Sequence, residues 1–157
     1  MSSREEDVQA ILIADALFVS LMPGGVWTDQ EIGIMGIHRG DDSNTNGAFD
    51  ADGILKNCCV IRQGALIPRS EGRSQKEKKT LTNQPFTIVY YQHRGRDTLA
   101  AGVQRGYELL EGERLPKSYP MIWEGNSGFL YDVGPVANAT TVMQSWNIVM
   151  ILSPVTP

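Results

Sequence analysis

The feature that most constrains this chain is a long, strongly apolar helix that stops abruptly. From about Arg4 to Met22, the residues Val8, Ile11, Leu12, Phe18, Val19 and Met22 fall on one arc at helical spacing. Ala10, Ile13, Ala14, Leu17 and Leu21 make the rest of the second half almost as apolar. Ser2 or Ser3 supplies an N-cap, with Glu5 or Glu6 three residues later completing a capping box, and acidic residues suit the positive end of the helix. Pro23 and Gly24-Gly25 then end it, and Trp27 anchors the exit. A helix apolar on most of its surface needs cover on two sides. A chain of 157 residues has one sheet to offer, so the second cover is either a neighbouring subunit or a central position within one chain. The sequence leaves both readings open.

The remaining elements are read from their periodicity and punctuation. After Trp27, Thr28 with Glu31 offers a second capping box for a short turn through Ile32 and Ile34, which Gly33 and Gly36 keep from lengthening. Gly40 to Gly47 is a polar loop by composition, and Asp52-Gly53 is a turn that aims the chain into a buried strand at about Asn57 to Gln63. A charged excursion from Pro68 to Asn83 follows. Pro85 then opens the strand Phe86-Thr87-Ile88-Val89-Tyr90-Tyr91, and the two strands with the segment between them read as a long-tipped hairpin. A second helix spans about Thr98 to Leu110, capped by Asp97 or Thr98, with Gly112 just past its end. Its stripe is Leu99, Val103, Gly106 and Leu110, and Gly102 and Gly106 predict a close approach to other backbone. Short apolar pieces at Met121-Ile122-Trp123 and Phe129-Leu130-Tyr131 precede a terminal strand from Thr140 to about Leu152. On one face of that strand lie Val142, Trp146, Ile148 and Met150, interrupted only by Gln144. The order α-β-β-α-β-β predicts a single α+β domain over residues 1–157: a mainly antiparallel four-stranded sheet with two helices packed on it.

Composition narrows the function classes. With 41% hydrophobic and 20% charged residues, and apolar runs well short of a bilayer span, the chain reads as globular with no membrane partner. Its first residues are polar and mostly acidic, the wrong chemistry for a secretory signal, so the protein is expected to stay in the cytoplasm where it is made. A net charge of -4 opposes sequence-reading nucleic-acid binding. Cys58 and Cys59 are neighbours in a strand, point to opposite faces, and are expected as reduced, buried thiols.

No catalytic signature emerges. Asp42, Asn44 and Asn46, then Gly47 and Asp50, match the first half of a calcium loop, but Gly53 stands where the bidentate glutamate belongs, and an Asx-rich turn is the better reading. Gly125-Asn126-Ser127-Gly128 has the look of a serine-nucleophile segment, yet His38 and His93 sit in no recognisable motif and a turn is preferred. Neither a metal nor a cofactor is called for. The segment Arg69 to Lys79 carries five basic and two acidic side chains, which makes a local positive finger in an acidic protein. Arg69, Arg73, Lys76, Lys78 and Lys79 are therefore interface candidates, together with Phe18 and Trp27.

The succession of the first helix with Leu21-Met22-Pro23-Gly24-Gly25-Val26-Trp27, then Ala48 to Ile61, Gln84 to Tyr91, Gly95 to Leu115 and the long final strand, resembles bacteriophage tail terminator proteins, the tail-completion or head-tail joining group. The resemblance implies a non-enzymatic virion protein of the neck. It implies a hexameric ring that ends tail-tube polymerisation, contacts the tube protein and a head-side connector or adaptor, and lets DNA pass through its lumen unread. Another neck or tail subunit (head-closure or tube-like) is the alternative, and a small-molecule-binding or hydrolytic α+β domain is a further one. Residues 28–47 match no part of the family pattern.

Overall fold

The computed structural model describes residues 4–33, 36–74, 79–131 and 138–152. In chain order the elements are α1 (Arg4–Ile13), α2 (Ala16–Leu21), β1 (Val26–Thr28), α3 (Asp29–Ile32), a 3-10 turn (Asn46–Ala48), β2 (Cys58–Gln63), β3 (Ile67–Ser74), β4 (Lys79–His93), α4 (Asp97–Leu110), β5 (Ile122–Asn126), β6 (Leu130–Tyr131) and β7 (Ala139–Leu152). The strands form one seven-stranded mixed sheet in the order β1-β2-β4-β7-β5, with β3 beside β4 and β6 beside β7. The expected four antiparallel strands and two helices are thus part of a larger assembly. β1 is the only parallel strand among them, and three residues are too few to show a period.

The motif at residues 21–27 explains how β1 comes to lie there. The Gly24 N–H donates to Asn57 O at 2.7 Å and Gly25 O accepts from the Cys59 N–H at 3.1 Å, so the exit from α2 is stitched directly to β2. A Cβ on Gly24 would stand 2.8 Å from Lys56 O and 2.9 Å from Asn57 O, so only glycine permits the approach. Trp27 folds back over Gly25 and donates from Nε1 to Gly24 O at 3.0 Å.

The single first helix is corrected to two. Asp15 adopts an extended conformation (φ -94°, ψ 115°), and its carboxylate accepts from the Phe18 N–H at 2.8 Å as the N-cap of α2. Arg105 of α4 holds the same carboxylate from Nε at 3.0 Å and Nη2 at 2.7 Å. The elbow rotates the apolar arc. Val8, Leu12, Phe18 and Met22 are buried, whereas Ile13, Leu17 and Val19 are 51%, 53% and 42% exposed. Ser2 and Ser3, expected to cap α1, lie outside the described residues. The Thr28–Glu31 box is present, opening α3, and Ile34 is also outside the described residues.

The hairpin is longer than the sequence suggests. β4 runs 15 residues, about 50 Å of extended chain, and pairs first with β3 and then with β2. Most of the presumed loop from Pro68 to Asn83 is therefore strand, with a register shift between Pro68 and Arg73. Pro85 lies inside β4 rather than at its start. It accepts from the Gly64 N–H at 2.8 Å but has no N–H to return, and Gln84 Nε2 donates to Gly64 O at 2.7 Å in its place.

Two cores lie on opposite faces of the sheet. On the first, α1, α2 and α4 cover Cys59, Ile61, Phe86, Ile88, Tyr90, Val142, Trp146 and Ile148. On the second, Ile32, Ile37, Ala48 and Leu55 from the segment between β1 and β2 cover Cys58, Val60, Val89 and Tyr91. The interruption of the β7 stripe is itself buried. Gln144 Oε1 accepts from Tyr90 OH at 2.9 Å and Trp146 Nε1 at 3.1 Å, while its Nε2 donates to Val103 O of α4 at 3.1 Å. α4 approaches side chains here and not other backbone: a Cβ on Gly102 would overlap Met22 Cε, and one on Gly106 would overlap the Tyr90 hydroxyl. Its N-cap is Arg96, without a side-chain capping bond, in place of Asp97 or Thr98.

Candidate assembly surfaces

The outward surface of the α1–α2 elbow is an apolar feature that the fold leaves uncovered, with Ile13, Leu17 and Val19 exposed. From Ala10 to Ser20 no exposed residue carries a charge, because the one ionised group in the stretch, Asp15, is turned toward Arg105. That guanidinium holds the Asp15 carboxyl below the ordinary aspartate range, helped by the Phe18 N–H. The expected interface residue Phe18 is instead fully buried and meets Tyr90 edge-to-face, with ring centroids 6.4 Å apart. Ile13, Leu17 and Val19 present the outward surface in its place. Trp27 is half-buried against the second core.

The positive finger is carried on the two-stranded ribbon of β3 and β4. Arg69 and Arg73 belong to β3 and Lys79 opens β4, while Lys76 and Lys78 lie outside the described residues. The register sets Arg73 opposite Thr80 and Ser74 opposite Lys79.

The remaining part of the sheet's second face is uncharged along β4 and β7, with Arg62 of β2 beside it opposite Thr87. Along β4 and β7, Asn83, Pro85, Thr87, Met143, Ser145 and Asn147 point to this side, opposite Gln84, Phe86, Gln144 and Trp146. Asn147 Nδ2 donates to Asn83 Oδ1 at 3.1 Å across the strands.

The groups considered for chemistry are committed to structure. Asn46 accepts from the Gly40 N–H at 3.1 Å and donates to Gly40 O at 2.7 Å. Asp50 Oδ1 accepts from the N–H groups of Asp52 and Ile54, both at 2.9 Å, and Asn44 Nδ2 donates to Glu31 O at 3.3 Å. Asp42 lies exposed at the loop surface. Asn44, Asn46 and Asp50 brace an Asx-rich loop, and among the described residues no cluster of acidic, histidine or cysteine groups could hold a metal ion. Ser127 Oγ donates to Gly128 O and accepts from the Met143 N–H, both at 2.9 Å, so its hydroxyl serves a turn. Burial pushes the Cys58 thiol up to about 12 and raises the Cys59 thiol well above its ordinary value; neither is disulfide-bonded. No described helix is long and apolar enough to cross a membrane.

These features define an α+β fold, a mixed sheet with α1, α2 and α4 on one face and α3 on the other. No family model and no curated protein matches the sequence. Among solved structures, the chain is similar over 96% of its length to 96% of a chain in the virion of a native gene transfer agent particle, with a TM-score of 0.57 and 14% identity. At that identity, what the two chains share is the fold.

Proposed function

We propose that this chain is a structural protein of a phage-like virion, a tail-terminator-type subunit that forms a ring, closes the tail tube and joins it to the head-side connector. The observation that carries this reading is the fold shared end to end with a virion protein, 96% of each chain. The match spans the complete fold and not a common half-domain. The uncharged elbow supports it, since a surface of this kind suits burial against a neighbour in a closed assembly.

In this reading the subunit is non-catalytic. The ring is a homohexamer whose partners are the tube protein on one side and a head-side connector or adaptor on the other. DNA traverses the lumen without sequence recognition, consistent with the net charge of -4. The basic ribbon, with Arg69, Arg73 and Lys79 on its strands, is the surface assigned to the adjacent ring of tube subunits or to a neighbouring protomer. Native mass spectrometry of the purified protein tests the ring: a species of six monomer masses is expected. A monomer at every concentration would count against it.

A further inference from the structure

We infer that the ring interface is a head-to-tail contact in which the α1–α2 elbow of one copy, led by Leu17, docks into a pocket of the next that lies between α4, the turn joining β5 to β6, and β7. This inference rests on the ring reading and names the two surfaces that make it. The pocket has a volume of about 230 Å³ and is walled by Ala100, Val103, Phe129 and Val142, with Gln104 among its polar lining groups. It exceeds the roughly 150 Å³ cavity known to hold a benzene molecule, so it has room for a branched aliphatic side chain. Arg96, stacked over the Phe129 ring at 5.1 Å, stands beside it.

The occupant is a second copy because the chain itself carries the complementary surface on the opposite flank. On α4, Gly102 and Arg105 face α2, through Met22 and Asp15. Ala100, Val103 and Gln104 face the pocket, and at 100° per residue these two sets lie on opposite sides of the helix. Projection and pocket are therefore on different sides of one helical layer, the arrangement of a heterologous interface, which no two-fold pairing would satisfy. Their heights agree as well. Met22 lies at Gly102 and Asp15 at Arg105, so α2 runs beside the same turns of α4 that line the pocket. A head-to-tail contact with little offset along α4 suits a ring, which forms where the rotation from copy to copy closes. The absence of exposed charge from Ala10 to Ser20 means that the elbow brings no unpaired ion of its own into the contact.

Oxidative cross-linking of the full chain tests the contact. A variant with Leu17→Cys and Gln104→Cys is expected to give a covalent ladder on a denaturing gel ending at the copy number of the ring, because Cys58 and Cys59 are buried and do not compete. Neither single variant should cross-link. Leu17→Asp, at an exposed position, is expected to keep its circular dichroism and lose the ring in favour of monomer. A ring by mass with no ladder overturns this interface while leaving the ring reading intact. Disulfide dimers from Leu17→Cys alone would show a symmetric contact and overturn it too. A chain that stays monomeric at high concentration, with no ladder, overturns both.

Discussion

Two glycines on one face of α4 should respond very differently to the same added methyl. At Gly106 a Cβ overlaps the Tyr90 hydroxyl oxygen and stands 3.3 Å from Tyr90 Cζ and 3.4 Å from Gln144 Oε1. That hydroxyl has nowhere to go, because Gln144 fixes it at 2.9 Å and is itself held by Val103 O and Trp146. Gly106→Ala gains about 1 kcal/mol of helix propensity, loses about 2 kcal/mol to overpacking, and loses about 2 kcal/mol more when the buried hydrogen bond is displaced. The net loss is about 3 kcal/mol, which lowers a urea midpoint by about 1.5 M at an m-value of about 2 kcal/mol per molar. At Gly102 the obstacle is Met22 Cε, the far end of a flexible side chain. Gly102→Ala should therefore stay within about 1 kcal/mol of the parent, because propensity offsets the repacking. The test is internal. Tyr90→Phe removes the obstructing oxygen, so adding Gly106→Ala to Tyr90→Phe should cost less than about 1 kcal/mol in that background. A fully stable Gly106→Ala single variant, or a double variant in which the alanine costs as much as it does alone, would refute the reasoning.

The elbow gives a pH-dependent prediction. The folded-state pKa of Asp15 is depressed, so the stability it contributes is present above the unfolded aspartate value and is lost as pH falls through the folded one. Asp15→Asn keeps an N-cap acceptor without the charge; its deficit against wild type should be present at neutral pH and vanish in acid, as followed by denaturation at stepped pH. A deficit independent of pH would contradict the ion-pair account. Cys58 and Cys59 should resist thiol labelling until the chain is denatured, and rapid labelling of both in the native protein would contradict their placement on a buried strand. Reversing Arg73, Lys76, Lys78 and Lys79 to glutamate should leave folding intact but weaken tail joining in a salt-sensitive way. Unchanged salt dependence of joining would exclude the ribbon as the contact.

How much of this was legible in the sequence depended on whether the cause was local. The Thr28–Glu31 box and α4 could be read because each is specified by residues within a few positions of one another. So could the turn before β2, where Asp50 and Gly53 at φ +80° close the chain. The opposite-facing cysteines followed from the strand period alone. The elbow at Asp15 could not, because its apolar surroundings continue the helical pattern and the residue that fixes it, Arg105, is 90 positions away. β1 was hidden by its brevity, and β3 by its charges, which a strand with an open edge tolerates. The second core escaped because its cover is a loop without periodicity. That loop is organised by polar bonds such as the His38 N–H to Thr45 Oγ1 at 3.0 Å and Ser43 Oγ to His38 O at 2.5 Å. As for the candidate surfaces, the apolar excess on the first helix was visible, but which residues face outward was decided by the elbow. Phe18 turned inward and Leu17 outward.

The measurement that bears most directly on the central claim is a reconstruction of an assembled particle with this chain placed in its density. The account predicts a closed ring of copies at the junction between tail tube and head-side connector, each α1–α2 elbow seated against α4 of its neighbour. A single copy, or copies confined to the head shell or the distal end of the tail, would contradict it.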